Sequence, residues 1–465
     1  MQMPPINRRK FLAGLLGTAA LPSGFSVGSQ PKRPATIVFI LADDMRWDAL
    51  GAAGSSALQT PNLDWLASIG HHFKNNFVTT SICPSSRASI MMGEHSGRHG
   101  IWDFSTSLSE RQLKTSLPFL LRQSGYKTAF FGKWGIGEVP PVNLFDHWSG
   151  FMGQGEYFRD GHDEHLTDSI SHQVTSWLKS YKQNQPAALF ISTKAPHVQD
   201  EIPGGFLPAH RHADLYADID FELPRSATEV EFSKLPSFLQ SSEGRRRWQS
   251  RFSTPARYQQ TCRQYHQLIK GIDDLTGSVI NSLKTKNLLA ESLIAFTSDN
   301  GFLLGEHGLA GKWWGFEESI RTPLIMKLPE TMAQSNKKDI REISLNIDIA
   351  PTILASAGIS RPNTMQGQSL LPRMQDRQSA GRKDFLYEHQ FEHPGIARTI
   401  GVRSEKYKYL RYPGQAQNHE MLFDLQSDPF ELENLVNRTQ HHSTLEELRS
   451  RTLELDLVNQ LLKQG

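Results

Sequence analysis

Cysteine is scarce in this chain: only Cys83 and Cys262 occur among its 465 residues. Two cysteines are too few for a disulfide-based scaffold, and neither forms the spacing of a structural zinc site with another Cys or His. A single disulfide between them is the simplest interpretation for an exported protein. We favour a different one, in which Cys262 is a small buried residue of a helix and Cys83 has a chemical role.

Long apolar runs and an excess of charge are also missing. No run approaches the roughly 18 apolar residues that a membrane-spanning helix requires, so we expect no stable membrane insertion. Lysine and arginine (50) nearly balance aspartate and glutamate (48), which gives a formal net charge of +2. This charge by itself indicates no class of partner. We do not expect a nucleic acid to be a partner.

The first 30 residues have the pattern of an export signal. Arg8 and Arg9 precede a short, weakly apolar stretch over residues 13–21, which is too brief to anchor a protein in a membrane. This pattern predicts a twin-arginine signal peptide over residues 1–30, recognised by the twin-arginine translocase. We therefore expect a bacterial protein that is periplasmic or secreted. A basic, unstructured tail is the alternative interpretation.

Four apolar, β-rich segments each lead into polar residues: 36–41, 128–131, 188–191 and 293–296. Their hydrophobicity is continuous rather than alternating, which indicates strands buried on both faces of a largely parallel sheet. Helical segments lie between them, including residues 265–283, which keep one apolar face at helical spacing. The sequence therefore predicts an α/β fold, with a large, mixed, mostly parallel sheet sandwiched between helices.

Two units are expected after the signal peptide. Residues 31–368 are predicted to form a catalytic domain, and residues 369–465 a smaller α+β subdomain with a four-stranded antiparallel sheet and a closing helix over 445–462. Within the larger unit, residues 198–255 are irregular and polar. Their arginine-rich part, residues 243–251, is interpreted either as a solvated helix face or as the rim of a site for an anionic substrate.

Acidic and amide side chains follow two of the predicted strands. Asp43 and Asp44 follow the first strand, and Asp299 and Asn300 follow the last. Ligands gather at the carboxyl ends of the strands in an α/β sheet. Carboxylate and amide oxygens suit a hard cation, and calcium tolerates irregular coordination better than magnesium. We therefore predict a metal site at this edge, against the alternative that the acidic pair caps a helix or faces solvent.

A longer series of motifs gives the chain a family resemblance. Cys83 is followed four positions later by Arg87, within the segment 80–93. Further motifs follow one another along the chain: Ala42-Asp43-Asp44, Gly132-Lys133-Trp134, Ser298-Asp299-Asn300-Gly301, Gly305-Glu306-His307-Gly308, Gly311-Lys312-Trp313-Trp314, Glu318-Ser319-Ile320-Arg321-Thr322-Pro323, Asp348-Ile349-Ala350-Pro351-Thr352 and Leu422-Phe423-Asp424-Leu425. In these motifs the chain resembles the sulfatase family over almost its whole mature length. The resemblance implies an alkaline-phosphatase-like fold and hydrolysis of sulfate esters.

The resemblance also implies roles for individual residues. Cys83 would be oxidised to formylglycine (3-oxoalanine) by a dedicated maturation enzyme, and the hydrated aldehyde would attack sulfur and later release sulfate. By the same resemblance, the catalytic residues are Cys83, Arg87, Lys133, His197 and Lys312; the substrate-binding residues are Lys133, His197, His307 and Lys312; and the ligands of one Ca²⁺ (or Mg²⁺) are Asp43, Asp44, Cys83, Asp299 and Asn300. His197 is expected to protonate the leaving oxygen.

Two positions depart from the family pattern. Ser85 stands two residues after the cysteine, where the family has Pro or Ala, and this puts efficient maturation in question. Gly135 replaces the histidine of the family's Gly-Lys-Trp-His motif. His99, His307 or a water molecule would then have to make the contact that this histidine makes with formylglycine.

The expected substrate is a sulfated carbohydrate: a glycosaminoglycan, a mucin glycan or an algal glycan. Two alternatives stay open from the sequence. One is a phosphonate or phosphate ester hydrolase of the same superfamily, although the chain shows no clear second set of metal ligands. The other is a non-catalytic glycan-binding homologue, which the two departures at Ser85 and Gly135 favour.

Overall fold

The computed structural model describes residues 33–463, apart from residues 56, 57, 160, 201, 203, 378, 380 and 416–418. The predicted signal peptide, residues 1–30, lies outside the described residues. The strands are β1 (Thr36–Asp43), β2 (His71–Phe73), β3 (Asn76–Phe77), β4 (Lys127–Lys133), β5 (His147–Phe151), β6 (Ala187–Pro196), β7 (Ser292–Ser298), β8 (Leu303–Leu304), β9 (Ala310–Gly311), β10 (Leu324–Lys327), β11 (Asp339–Ile340), β12 (Ser344–Leu345), β13 (Asp384–His389), β14 (Thr399–Ser404), β15 (Tyr407–Arg411) and β16 (Glu420–Asp424).

The helices alternate with these strands along the chain. They are α1 (Pro61–Ile69), α2 (Cys83–Met92), α3 (Ser96–His99), α4 (Glu110–Leu113), α5 (Leu117–Gln123), α6 (Leu166–Ser180), α7 (Glu229–Ser233), α8 (Ser237–Gln240), α9 (Glu243–Arg251), α10 (Pro255–Thr285), α11 (Glu317–Ile320), α12 (Ile349–Ser356), α13 (Leu371–Met374) and α14 (His442–Lys463). Within the described residues, none of them combines the length and the apolar character needed to cross a bilayer.

The central sheet of the described residues has eight strands, in the order β11-β2-β10-β7-β1-β6-β4-β5. Strands β7, β1, β6, β4 and β5 are parallel to one another, whereas β10 is antiparallel to both β7 and β2. The sheet is therefore mixed and mostly parallel, which confirms the predicted fold class.

Both faces of the central sheet are buried. Along β1, Val38 and Ile40 pack into the core on one face, whereas Ile37, Phe39 and Leu41 pack into the core on the other. Residues of α6 and α10 complete the first core, and residues of α2, α5 and α12 complete the second. The predicted strands are continuously apolar because alternate side chains face two cores rather than one core and solvent.

A smaller antiparallel sheet follows, in the order β13-β14-β15-β16. Helix α14 packs on it, with Leu445 and Leu448 against Val402, Tyr409 and Leu422. This arrangement confirms the predicted antiparallel subdomain. Helix α14 begins at His442, slightly before the predicted start of the closing helix. The boundary at residue 369 stays a prediction.

A buried ion network joins the smaller sheet to the larger unit. Glu317 of α11 lies 3.1 Å from Arg403 Nη2 and 2.9 Å from Lys408 Nζ. Lys408 is fully buried and also lies 2.8 Å from a carboxylate oxygen of Glu431. Burial would raise the pKa of Glu317, but the charges of Arg403 and Lys408 outweigh it and hold that pKa well below its usual range.

We predict that Glu317→Ala lowers the free energy of unfolding by about 3–5 kcal/mol, because it leaves two buried cations without the carboxylate they share. Urea denaturation measures this value. Arg438→Ala is the control, since Arg438 forms an exposed pair with Glu433 at 2.7 Å and such pairs contribute about 1 kcal/mol at most. Equal losses of stability in the two variants would contradict the prediction.

Candidate active site

The predicted site residues meet at the carboxyl edge of the central sheet. Because β7, β1, β6 and β4 are parallel neighbours, residues at or just after their ends lie side by side. These residues are Asp299 and Asn300 after β7, Asp43 and Asp44 at the end of β1, His197 after β6 and Lys133 at the end of β4. All of them are buried. The fold thus gathers polar side chains from distant parts of the sequence in one place.

Cys83 is the first residue of α2 and contacts this group of residues. Pro84 suits the first turn of the helix, where a backbone N–H is not needed. Cys83 Sγ donates to Asp43 Oδ1 at 3.2 Å and accepts from Lys312 Nζ at 3.0 Å. Burial raises the pKa of the Cys83 thiol well above its usual value, and the charge of Asp299 raises it further. An unmodified Cys83 is therefore a neutral thiol rather than a thiolate nucleophile.

Arg87, one turn along α2, holds two of the acidic groups. Its Nε donates to Asp299 Oδ2 at 2.8 Å, and its Nη2 lies 3.1 Å from Asp43 Oδ2. Its Nη1 donates to Ser192 Oγ at 2.7 Å and to the backbone carbonyl of Lys133 at 2.9 Å. Arg87 therefore ties α2 to the ends of β1, β7, β6 and β4, and it positions the carboxylates as well as neutralising them.

Lys133 and Lys312 bring two further positive charges to the cluster. Lys133 Nζ lies 2.5 Å from Asp43 Oδ2, and Lys312 Nζ lies 2.5 Å from Asp44 Oδ1. Burial would raise the pKa of Asp43, but the charges of Lys133 and Arg87 outweigh it and hold that pKa well below its usual range. With Arg87, the lysines provide three cations for three buried carboxylates. The side chains of this cluster are therefore close to neutral as a group.

Two buried oxygens of this cluster, Asp44 Oδ2 and Asn300 Oδ1, have no hydrogen-bond partner among the described residues. A buried acceptor without a partner is costly, so each of these oxygens calls for a cation or a donor. Donor atoms of Asp43, Asp44, Cys83 and His197 lie within 4.8 Å of one another. Carboxylate and amide oxygens in this arrangement fit a hard divalent cation.

Two observations bear on the predicted ligand set. His197 Nε2 lies 3.7 Å from Asp44 Oδ2, so His197 joins the possible metal donors, which the sequence analysis did not anticipate. Both oxygens of Asp299 already accept hydrogen bonds, one from the backbone N–H of Asp44 at 3.1 Å and one from Arg87. The role of Asp299 as a ligand stays a prediction.

The hydrogen bond of His197 defines its tautomer. Its Nδ1 lies 2.5 Å from the backbone carbonyl of Val198, and a carbonyl only accepts. The proton of the neutral ring is therefore on Nδ1, and Nε2 carries a lone pair. Burial lowers the pKa of His197 well below its usual value, with the charge of Lys312 as the next cause, so the ring is neutral.

The two histidines considered as replacements for the missing family histidine contact other residues. His99 Nε2 lies 3.0 Å from Ser89 Oγ, on α2. His307 stacks on Phe316, with ring centroids 4.1 Å apart. Burial lowers the pKa of each histidine to about 3. Both are neutral residues packed into the protein, and the predicted substrate contact of His307 stays a prediction.

The backbone at Gly135 leaves no room for a histidine. Its φ is 69°, in the region that favours glycine, and a Cβ there would lie 2.8 Å from Arg87 Cδ and 3.3 Å from Lys133 Cε. Gln154 lies nearby and accepts a hydrogen bond from Lys133 Nζ at 2.6 Å. Sequence analysis missed Gln154, because it lies outside every recognised motif, in the loop after β5. Ser85 has a structural partner: its buried Oγ donates to the carbonyl of Ile101 at 2.8 Å.

Comparisons with known proteins support a family assignment. A family model described as Sulfatase matches residues 35–359, and one described as N-sulphoglucosamine sulphohydrolase, C-terminal, matches residues 305–457. The N-acetylglucosamine-6-O-sulfatase of Bacteroides thetaiotaomicron is 28% identical, over 90% of this chain and 85% of that protein. The choline-sulfatase of Rhizobium meliloti is 27% identical, over 86% of this chain and 82% of that protein.

Solved structures share the fold. One, described as a complex with its substrate D-glucosamine-2-N,6-O-disulfate, has a TM-score of 0.82 and 25% identity, and it covers 93% of this chain and 99% of that chain. The phosphonate monoester hydrolase of Agrobacterium radiobacter has a TM-score of 0.75 over 92% of this chain and 96% of that chain. At 20% identity, the second similarity shows the fold alone.

A mixed sheet covered on both faces, with a buried acidic and basic cluster at its carboxyl edge, defines a hydrolase of the alkaline-phosphatase-like superfamily. The chain belongs to the sulfatase family, because the family model covers most of its length. It is a sulfuric ester hydrolase, which confirms the predicted enzyme class. The family generally uses formylglycine and a divalent metal, and Asp43, Asp44, Cys83 and His197 form a possible metal site.

We predict that Gly135→Ala lowers the free energy of unfolding by about 2–4 kcal/mol, because the left-handed backbone is strained for alanine and the new Cβ meets Arg87. Gly125→Ala is a matched control, since its φ of 86° is equally unfavourable but no atom lies within 4 Å of its Cβ. Urea denaturation and sulfate release are measured for both. Sulfate release should fall only in Gly135→Ala, where Arg87 is displaced. Identical behaviour of the two variants would refute this account.

Proposed function

We propose that this chain hydrolyses a sulfate ester on a carbohydrate, using a formylglycine made from Cys83 and one calcium ion held by Asp43, Asp44, Asp299 and Asn300. Magnesium is the alternative ion. The observation that carries the proposal is the buried thiol of Cys83, placed between a carboxylate and a lysine at the N-terminus of a helix, beside two oxygens without partners.

Modification is what would make Cys83 a useful nucleophile. Its pKa is raised by burial, so the thiol contains little thiolate at neutral pH. When present, the hydrated aldehyde supplies one hydroxyl for attack on sulfur and a second through which sulfate is released. When bound, the cation supplies Lewis-acid stabilisation of the sulfate oxygens. The backbone N–H groups at the start of α2 also favour an anion at this position.

The protein's own charges prepare the site for an anionic ester. Lys133 and Lys312 each lie 2.5 Å from a carboxylate, and both ammonium groups are available to neutralise sulfate oxygens as charge develops on them. Arg87 remains bound to Asp43 and Asp299 and keeps the carboxylates in position. A divalent cation added to this near-neutral group leaves a surplus of about two positive charges, which attracts a sulfate ester.

His197 is proposed to protonate the leaving oxygen rather than to bind the cation, because a hard cation prefers oxygen ligands. The bond from its Nδ1 to the Val198 carbonyl holds the ring and leaves Nε2 as the atom directed toward Asp44. Because Nε2 of the neutral ring carries no proton, this role requires His197 to be protonated before the leaving group departs. The negative charge of a bound ester favours the protonated ring, so the substrate itself assists this step.

An amino sugar that carries sulfate is the proposed substrate. The support is the similarity to the N-acetylglucosamine-6-O-sulfatase of Bacteroides thetaiotaomicron and to the structure that holds D-glucosamine-2-N,6-O-disulfate. Sugars of this type occur in glycosaminoglycans and mucin glycans. Phosphonate or phosphate ester hydrolysis is the second candidate, because phosphonate monoester hydrolases share the fold.

We also propose that the protein is exported to the periplasm or beyond through a twin-arginine signal over residues 1–30. The side chain of Cys83 is only 1% exposed in the folded chain. A maturation enzyme must therefore reach it before folding is complete. Because the twin-arginine translocase carries folded proteins, maturation would precede export.

We predict that Cys83→Ala lowers kcat/KM for glucosamine 6-sulfate by at least about 10³-fold, because the nucleophile is lost. Cys262→Ala is the matched control, since Cys262 is equally buried but lies in the core, on helix α10. The Cys262→Ala variant should retain activity. Mass spectrometry of the tryptic peptide around residue 83, from the native host, should show the aldehyde. Full activity with an unmodified thiol would refute the proposal, and faster cleavage of a phosphonate ester would favour the second candidate.

Chelation of the metal is expected to abolish sulfate release, and added calcium to restore it. Calorimetry on protein with an unmodified Cys83 measures calcium binding independently of activity. Asp44→Ala should weaken this binding by at least about tenfold, because even residues outside the metal's direct ligands change affinity by that factor. Asp103→Ala is the control, since Asp103 bonds only within its own exposed loop among the described residues. Unchanged calcium affinity in Asp44→Ala would show that the ion is bound elsewhere.

A further inference from the structure

The arginine-rich helix α9 presents its guanidinium groups in different environments. Arg245 lies over the rings of Phe232 and Trp248, at 3.7 and 4.0 Å from their centroids. Arg246 is 70% exposed and pairs with Glu243 of the same helix. These two arginines have packing and surface roles that need no ligand. The remaining two arginines of the helix, Arg247 and Arg251, both contact Asp200.

Arg247 and Arg251 share a single carboxylate, that of Asp200. Arg247 Nη1 lies 3.0 Å from Asp200 Oδ1, and Arg251 Nη2 lies 2.6 Å from the same oxygen. Arg247 Nε also donates to Glu243 Oε1 at 2.7 Å, a carboxylate that it shares with Arg246. Along this helix, three guanidinium groups therefore pair with two carboxylates, which leaves a surplus of one positive charge that an additional anion would neutralise.

Arg251 also has an unsatisfied donor. The residue is only 6% exposed, and its Nη1 is buried without a hydrogen-bond partner among the described residues. Burial lowers the pKa of Arg251 to about 10, and the neighbouring charge of Arg247 adds to this effect. A buried guanidinium N–H without an acceptor is costly, so this N–H requires an acceptor oxygen.

This arginine pair borders the catalytic cluster. Asp200 lies three residues after His197, in the segment that leaves β6. The Arg247 guanidinium lies 5.0 Å from the ring centroid of Trp313, which directly follows Lys312. The charge of Asp44 also acts on Arg251. The pair therefore contacts two segments that also carry predicted catalytic residues, the one after β6 with His197 and the one after β9 with Lys312.

We propose that Arg251 and Arg247 form a subsite for a second anionic group on the substrate sugar, in addition to the sulfate ester that is cleaved. This inference rests on the proposed function and narrows the substrate class to doubly anionic sugars. The shared chemistry is an oxyanion with at least two acceptor oxygens, which a guanidinium group binds with paired hydrogen bonds. A second sulfate and the carboxylate of a uronic acid both provide it.

The test compares substrates with one and with two anionic groups. N-acetylglucosamine 6-sulfate carries one, D-glucosamine-2-N,6-O-disulfate adds a second sulfate, and a 6-sulfated disaccharide with an adjoining uronic acid adds a carboxylate. Arg251→Met removes the guanidinium group and leaves Asp200 paired with Arg247. We expect kcat/KM for at least one doubly anionic substrate to fall by about 10–100-fold, mainly through KM, which is the usual effect of losing a charged hydrogen bond.

For the singly anionic substrate, kcat/KM should change by less than about threefold in Arg251→Met, because the contacts of this substrate with the catalytic cluster are unaltered. Arg246→Met is the matched control on the same helix and should leave kcat/KM unchanged for all three substrates. The doubly anionic substrate whose kcat/KM falls more identifies the second group as sulfate or carboxylate. An equal loss on all substrates, or no loss on any, would overturn the proposal. If Arg251→Met does not fold, Arg251→Lys is used, which keeps the charge and removes the paired donors.

Calorimetry separates this inference from the proposed function. The Cys83→Ala variant is expected to bind both doubly anionic sugars without cleaving them, and Arg251→Met in that background should weaken the binding of at least one of them by about 10–100-fold. If the wild-type protein releases sulfate from none of the three substrates, the proposed function fails while this binding result still decides the subsite. Unchanged binding of both doubly anionic sugars would overturn the subsite even where sulfate release is normal.

Discussion

The buried charge balance at the carboxyl edge of the sheet constrains the rest of this structure. Asp43, Asp44 and Asp299 are almost completely removed from water, which costs several kcal/mol for each ion unless it is paired. Their partners come from different elements: Arg87 from α2, one lysine from the end of β4 and the other from the segment after β9. The contacts that neutralise the charges therefore also hold these elements in their relative positions.

The same balance connects metal binding to substrate binding. With three carboxylates and three cations, the protein groups have little net attraction for an anion. A divalent cation held by Asp44 and Asn300, as proposed, would change this, because it would add positive charge where the dielectric constant is low and salt screens poorly. The affinity for a sulfate ester would then depend on the cation, and the affinity for the cation on the ester, apart from any effect of the cation on the chemical step.

The sheet and its edge were predictable because their signals are local. The apolar runs of β1 and β7 are continuous, since both faces of the sheet are covered, and each run leads directly into an acidic or amide pair. The register of the strands then determines the position of His197. Asp43 lies opposite Pro196 on β6, which places His197 beside the acidic pair. Strands of two or three residues, such as β3 and β8, carry no comparable pattern, because tertiary contacts decide their pairing.

Sequence analysis missed Gln154, which contacts the cluster from a loop. Gln154 follows no strand-end pattern, and only the folded chain brings it to Lys133. The arginines of α9 differ, because their spacing in the sequence predicts which of them share a face of the helix. Arg247 and Arg251 are four residues apart and so share one face of a helix, which Arg246 does not. That spacing separates the exposed Arg246 from the two arginines that contact Asp200, and the rim of a site for an anionic substrate stays a proposal. The spacing does not reveal which face meets Asp200, because that carboxylate is carried by the segment after β6, whose path depends on the packing of the whole domain.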